Sequence, residues 1–489
     1  MLKYLRTRRG EAAIYLLLAL INLILGCYLI AATPYPSEGD GYGDIARALV
    51  GKGGTLYNQR PNWGYPILLI LTGYPWTNRP LIPELVQVAM ASAIPYLIGA
   101  TLRELGVGFG IRMTAAVVSF LAFPTVFALS LLTNTYGEFL LYLTVFLLAW
   151  SLVRADAVAL SVYARIPWRA AAIVGLAFFE LYLARSENLL LGFAVLFLAL
   201  LLTANAARAL LWRAIAVFAV LAIAWIPMQK GWTAWMISQH HTPVFAGTLP
   251  SFLFFKNIYS GGSSMIGRPA TRPENGPCSA LIFATVQRNL TEVDRFRQGQ
   301  TPATMNELFA VRSIMNANAM WQSVLHDFDE DTTARMFWCA GMEAIYAEPK
   351  ALLYYYDGLI AFFLYDDLIY DYGFRQAWLS ASDYTPVNVP FWAWSMYVGA
   401  AIKVVALSIA FATLIPTWRR GGYPRVLAVV LWTAILLTAG NYVALAAPHW
   451  RYTEPVIPGL VLLAGLGLSS LKHPQSAAVP TNRSLVIDG

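Results

Sequence analysis

Apolar runs of roughly 17 to 25 residues recur along this chain, and that recurrence limits its fold more than any other feature. An α-helix rises about 1.5 Å per residue, so such a run covers the roughly 30 Å of bilayer hydrocarbon. Within lipid a helix also satisfies its own backbone N–H and C=O groups, which an isolated strand cannot do. The period-2 alternation of a membrane barrel is absent. The chain is 58% hydrophobic and 12% charged, whereas about a quarter of the residues of a soluble domain are charged. The expectation is an all-α polytopic membrane protein with about ten transmembrane helices, within a range of roughly eight to twelve. They are placed near 12–32, 84–103, 113–133, 137–153, 170–184, 188–205, 210–227, 392–416, 424–446 and 455–471.

The basic residues give these spans a direction. Alternate loops carry Lys3, Arg6, Arg8 and Arg9, then Arg103 and Arg112, Arg154, Arg165 and Arg169, Arg208 and Arg213, and Arg419, Arg420 and Arg425. The positive-inside rule makes those loops cytoplasmic, together with both termini. The net charge of +7 is thereby accounted for by insertion, and nucleic-acid binding is a poor explanation of it. The opposite set, 33–80, Thr133–Gly137, 185–188, about 229–391 and 447–455, faces outward. The first apolar run contains "ILGC" at 24–27 but lacks a cleavage site followed by polar chain, so it reads as an uncleaved signal-anchor in an inner or plasma membrane.

Four parts result: an N-terminal membrane module at 1–228 that includes the external loop 33–80, an extracytoplasmic insert at 229–391, C-terminal membrane helices at 392–471, and a cytoplasmic tail at 472–489. The insert holds 15 of the 27 acidic residues. Its segment 315–367 shows helical periodicity, with aromatics on one face and acids on the other, which suits helices lying at the membrane surface. Its Gly/Ser/Pro-rich stretch 259–277 lacks the Gly-Lys-Ser/Thr ending of a phosphate loop. Cys278 and Cys339 both fall in the insert, where an oxidising compartment permits a disulfide, while Cys27 falls in a membrane span. His240 and His241 have no third ligand at a fixed spacing, so they do not define a metal site.

The external loop 33–80 concentrates the candidate chemistry. Glu38, Asp40 and Asp44 lie within seven residues of one another, beside the first span. "YGDIARALVGKGG" then reads as a short helix with Tyr42, Ile45 and Leu49 on one face, stopped by glycines. Capping that helix accounts for one of the acids. A cluster of carboxylates also raises the pKa of one member, which suits a general base or an ion site. Lys403 and Glu180 sit within apolar spans, where ionisable groups face a cavity or a partner, and the two could pair with each other.

The pattern "EGDGYGDIAR" at 38–47 resembles the modified acidic motif of the GT-C glycosyltransferases, and the PMT/ArnT-like group within them. "LARSENLLLGF" at 183–193, "AIYAEPKALLYYY" at 344–356 and "HWRYTEPVIPG" at 449–459 resemble further elements of that family in the same order. Glu stands at the first acidic position, and Gly39 separates Glu38 from Asp40 where many relatives have adjacent acids.

What the resemblance implies is an inverting transfer of a sugar from a polyprenyl-phosphate donor to an acceptor hydroxyl of a glycan, lipid or protein at the outer face. Asp40 would be the catalytic base, with Glu38 the second acid of the motif and Asp44 in reserve. The departing lipid phosphate needs fixed cations. Arg451, with Tyr452 and His449, is the leading candidate, and Arg60, Arg185 and Lys230 are the remaining external ones; each can equally be an interfacial anchor. The resemblance fixes no cofactor, since some relatives use metal and others do not; a divalent ion such as Mg or Mn bridging the donor phosphate to Glu38 and Asp40 is an open alternative. The rival readings are a transporter or flippase of lipid-linked saccharides, with its polar site near the midplane, and an O-antigen-ligase-like enzyme that relies on external Arg and His.

Overall fold

The computed structural model describes residues 8–32, 42–53, 64–77, 79–122, 133–159, 166–184, 205–238, 273–289, 323–347, 349, 363, 389–445 and 456–472. Every regular element among them is helical. In chain order these are α1 (Arg8–Ala32), α2 (Tyr42–Leu49), α3 (Gly64–Leu71), α4 (Tyr74–Thr77), α5 (Leu81–Glu104), α6 (Phe109–Ala122), α7 (Thr133–Ala159), α8 (Ile166–Ala184) and α9 (Asn205–Ser238). They continue as α10 (Pro277–Asn289), α11 (Glu330–Ala347), α12 (Val389–Ala412), α13 (Leu414–Arg420), α14 (Gly422–Leu445) and α15 (Ile457–Lys472).

The expected spans other than 188–205 overlap observed helices, 113–133 only as far as residue 122; 123–132 and 188–204 lie outside the described residues. Among the described residues four helices are long and apolar enough to cross a bilayer, or five if a bent pair counts as one span. The chain is therefore a helical membrane protein. Helix boundaries differ from expectation: Thr133–Gly137 is the first turn of α7 rather than a loop, and α9 runs on to Ser238, past the expected end at 227 and into the expected insert. The polar residues at the start of α7 occupy the turn where backbone N–H groups have no intrahelical partner, so hydropathy alone begins that span too late.

The bent pair is α12 and α13, which meet at 52°. Pro416 has no N–H to offer the carbonyl of Ala412, and its ring crowds that carbonyl. Thr413 and Thr417 add to the bend by turning their hydroxyls back onto the Ile409 and Thr413 carbonyls, at 2.7 and 2.8 Å.

Two central helices hold the bundle together. Between Ile457 and Ser470 nearly every side chain of α15 is buried, and α5 is buried along most of its length. Around them pack α6, α7, α12 and α14, in one apolar core that runs from Val88 and Leu97 through Tyr142 to Leu431 and Leu460. Tyr142 on α7 accepts the Gly459 N–H at the start of α15 at 2.7 Å, satisfying one orphan donor of that helix. A second core joins α8 and α9, where Gly175 sits 2.9 Å, from the position a Cβ would take, to both Val217 and the Ala214 carbonyl. Small residues at such crossings replace the hydrophobic drive that lipid removes. By contrast α1 packs only one side onto α5 and leaves Leu16, Leu17 and Ile24 more than half exposed, as a lipid-facing helix does.

Lys403, expected to face a cavity or partner, is fully buried on α12. Glu180 is not its partner: it is exposed on α8 and accepts the Tyr136 hydroxyl at 3.3 Å. At the loop between α5 and α6, Arg112 grips the buried Glu11 carboxylate through two nitrogens, at 2.9 and 2.7 Å, and caps the Val107 carbonyl at 3.0 Å. This end of the bundle also carries Arg103 and Arg420.

The insert contributes α10 and α11, which pack on each other through Ile282, Val286, Phe337 and Ala344 and are joined by a Cys278–Cys339 disulfide. Glu343 on α11 accepts the first amides of α10, from Cys278 at 2.9 Å and Ser279 at 2.8 Å. It thus caps a neighbouring helix against its positive end. Gly276 permits this, because any Cβ there would strike the Glu343 carboxyl.

Candidate functional site

The loop 33–80 folds as expected where it is described. Tyr42 and Ile45 of α2 are buried, Leu49 packs beside them, and Gly51 and Gly53 end the helix at φ +68° and +77°, where a side chain would be strained. Two further short helices follow that sequence reading left as loop. The run "GYPILLIL" forms α3, too short to span and packed against α2, α4 and α8. Together α2, α3 and α4 cover one end of the bundle, formed by the start of α5, the start of α7 and the end of α8.

The interior of this cover is rich in tyrosine. Tyr65 lies edge-on to Tyr42, with ring centres 5.3 Å apart, and 6.0 Å from Tyr136. It is wholly buried and donates to the Gln87 side chain at 2.7 Å. Burial pushes the Tyr65 phenol well above its ordinary pKa, so it remains a donor at any working pH. Tyr136 carries the line to Glu180. Glu84 and Glu138, on the first two turns of α5 and α7, are 5% and 2% exposed at the same end. Carboxylates and phenols thus gather here, while the guanidinium groups of Arg112 and Arg420 occupy the far end of α5 and α15.

Asp44 is the one candidate acid of the loop that the structure describes. Its carboxylate takes Arg47 Nη2 at 2.6 Å, a pairing across one helical turn. Arg47 in turn donates to Tyr74 at 3.3 Å and lies over its ring. Through Arg47, Asp44 thus links α2 to α4. Lys230 is exposed on α9, just beyond Pro227. Glu38, Asp40, Arg60, Arg185, His449, Arg451 and Tyr452 lie outside the described residues, as do His240 and His241.

Tyr65, Gln87, Glu84, Tyr136 and Glu138 were not singled out from the sequence. Glu84 and Gln87 stand three residues apart in an apolar helix, which places both on one face and was the available signal. Among the described residues one group has metal-ligand geometry, Cys278, Cys339 and Glu343. Its sulfurs are joined to each other and its carboxylate holds the α10 amides, so it is a structural clasp. No protein-family model, no curated protein and no solved structure matches the chain.

Proposed function

We propose that the protein is an inverting glycosyltransferase that moves a monosaccharide from a polyprenyl-phosphate donor to an acceptor hydroxyl at the extracytoplasmic membrane face. One observation carries the reading: the helix that follows the acidic stretch 38–44 is seated, through Tyr42, on a tyrosine- and carboxylate-rich end of a membrane bundle. A lipid-linked donor keeps its tail in hydrocarbon and so presents its phosphate and sugar at that depth. Aromatic rings stack against sugar faces, and a carboxylate at the rim accepts the proton of an incoming alcohol. The Cys278–Cys339 disulfide supports an outward, oxidising side for the insert. The gathering of Arg103, Arg112 and Arg420 at the end away from Glu84 and Glu138 supports the same orientation, with about ten spans and both termini inside.

In this reaction Asp40 takes the proton from the acceptor hydroxyl, and the freed oxygen attacks the anomeric carbon on the face opposite the phosphate. The bond from that carbon to the phosphate oxygen breaks, and the phosphate leaves with the electron pair. Arg451, with His449 and Tyr452 beside it in sequence, receives the developing charge. Purified protein in lipid, supplied with labelled polyprenyl-phosphate sugars and membrane extract, tests this. The wild type turns over one of the donors, and Asp40→Asn loses about 10²- to 10⁴-fold. Full turnover in Asp40→Asn removes the base assignment. Donor movement across vesicles without transfer replaces the enzyme reading by transport.

A further inference from the structure

At the opposite end of the bundle the Pro416 bend swings α13 away from the axis of α12 and opens a pocket against α14 and α15. It is an open cleft with a small cavity of ≈ 20 Å³ at its floor, lined by Leu414, Thr417, Trp418, Arg425, Trp432 and Leu463. The guanidinium of Arg425 lies 5.3 Å from the Trp418 ring centre, and its Nε is buried with no hydrogen-bond partner among the described residues. Arg420 beside it is held by the Ser469 hydroxyl at 2.9 Å. No Asp or Glu occurs between residues 384 and 453, nor in α15, so the elements that build this pocket contain no acid to neutralise the arginines.

We propose that the open mouth of this cleft, over Arg425 and Trp418, binds the phosphate of an anionic phospholipid from the leaflet at the α13 end. A half-exposed guanidinium with an unpartnered Nε fits a phosphodiester, since Arg presents several N–H groups in one plane to phosphate oxygens. Trp418 and Trp432 supply the amphipathic rings found at headgroup depth, and Leu414 and Leu463 offer an apolar wall to the glycerol and upper acyl chain. The site is separate from the proposed donor site and independent of the glycosyltransferase reading. A bent helix wedged by lipid in this way is held open by its solvent rather than by protein alone.

The test uses the full chain in phosphatidylcholine vesicles containing a minor fraction of brominated phosphatidylglycerol or, in a parallel arm, brominated phosphatidylcholine. Bromine quenches nearby indoles, and the signal lost in Trp432→Phe isolates the pocket. The brominated phosphatidylglycerol quenches that signal at a lower fraction than the zwitterionic lipid does. Arg425→Gln raises the half-quenching fraction about fivefold, the loss expected for one cation at an anionic surface. Arg419→Gln, exposed and outside the pocket, leaves it unchanged. Arg425→Lys, which keeps charge and loses the fork, gives an intermediate shift and serves if the Gln variant does not fold. Equal quenching by the two lipids, equal shifts in Arg419→Gln and Arg425→Gln, no shift in Arg425→Lys, or a preference abolished by added inorganic phosphate each overturns the proposal.

Discussion

The two ends of the α5–α15 bundle are built on opposite plans. The α2–α4 end is capped by short helices and gathers tyrosines and carboxylates, bonded to one another mostly through neutral groups such as Tyr65 with Gln87. The α13 end is open, carries guanidinium groups, and spends one of them on the buried Glu11. The first plan places acids and phenols among apolar helix faces. The second anchors the bundle through a buried ion pair. Substitutions at the first end should therefore change turnover, and those at the second should change stability.

The sharpest break is Asp40→Asn, with its expected loss of about 10²- to 10⁴-fold in transfer at an unchanged unfolding temperature. At the other end, Arg112→Ala strands the Glu11 carboxylate and costs about 3–5 kcal/mol, read as a lowered unfolding midpoint in detergent. Replacing Glu11 and Arg112 together by Met recovers most of that loss, since the charge left behind carries the cost. Equal losses in the single and double variants would sink the distinction between anchorage and packing.

Smaller effects sharpen the contrast. Gly276→Ala drives a methyl group into Glu343 and removes its cap on α10, for about 1 kcal/mol, measurable as faster amide exchange at Cys278 and Ser279. Tyr65→Phe deletes one bond to Gln87, for about 1 kcal/mol of stability. A larger fall in transfer than in stability would assign Tyr65 to the placement of α2. The mildest effect is a pH dependence at Asp327. Hydrogen bonds from His326, then Asn289, then Arg288 hold its carboxyl near a pKa of about 2, below the ordinary 3.8. An acid lowered by folding stabilises the fold above its unfolded value. The support is thus complete above about pH 3.8 and fades as pH falls towards about 2. Amide exchange in α10 over that window follows the loss, and Asp327→Asn flattens the curve.

Hydropathy made the spans legible because one physical requirement, backbone bonding inside lipid, acts on every residue of a span. It also made α2 legible, where Tyr42, Ile45 and Leu49 share one face and glycines follow. It could not reveal α3, since eight apolar residues read equally as a loop end or a strand. Nor could it pair Tyr65 with Gln87 or Glu11 with Arg112, contacts 22 and 101 residues apart that only the packing of α5 creates. The disulfide was permitted by compartment, whereas its partner Glu343 became visible only when α11 lay across the start of α10.

That clasp has a mechanical consequence. Two helices joined at one point can pivot about it, but α10 and α11 meet at the Cys278–Cys339 bridge and again, one turn on, at Glu343. At their other end Asn289 donates to the Ser323 carbonyl at 2.9 Å, and Arg288 reaches Asp327. The hairpin is therefore a closed frame, held at both ends, in which α10 and α11 can neither slide nor splay without breaking a covalent bond or a buried hydrogen bond.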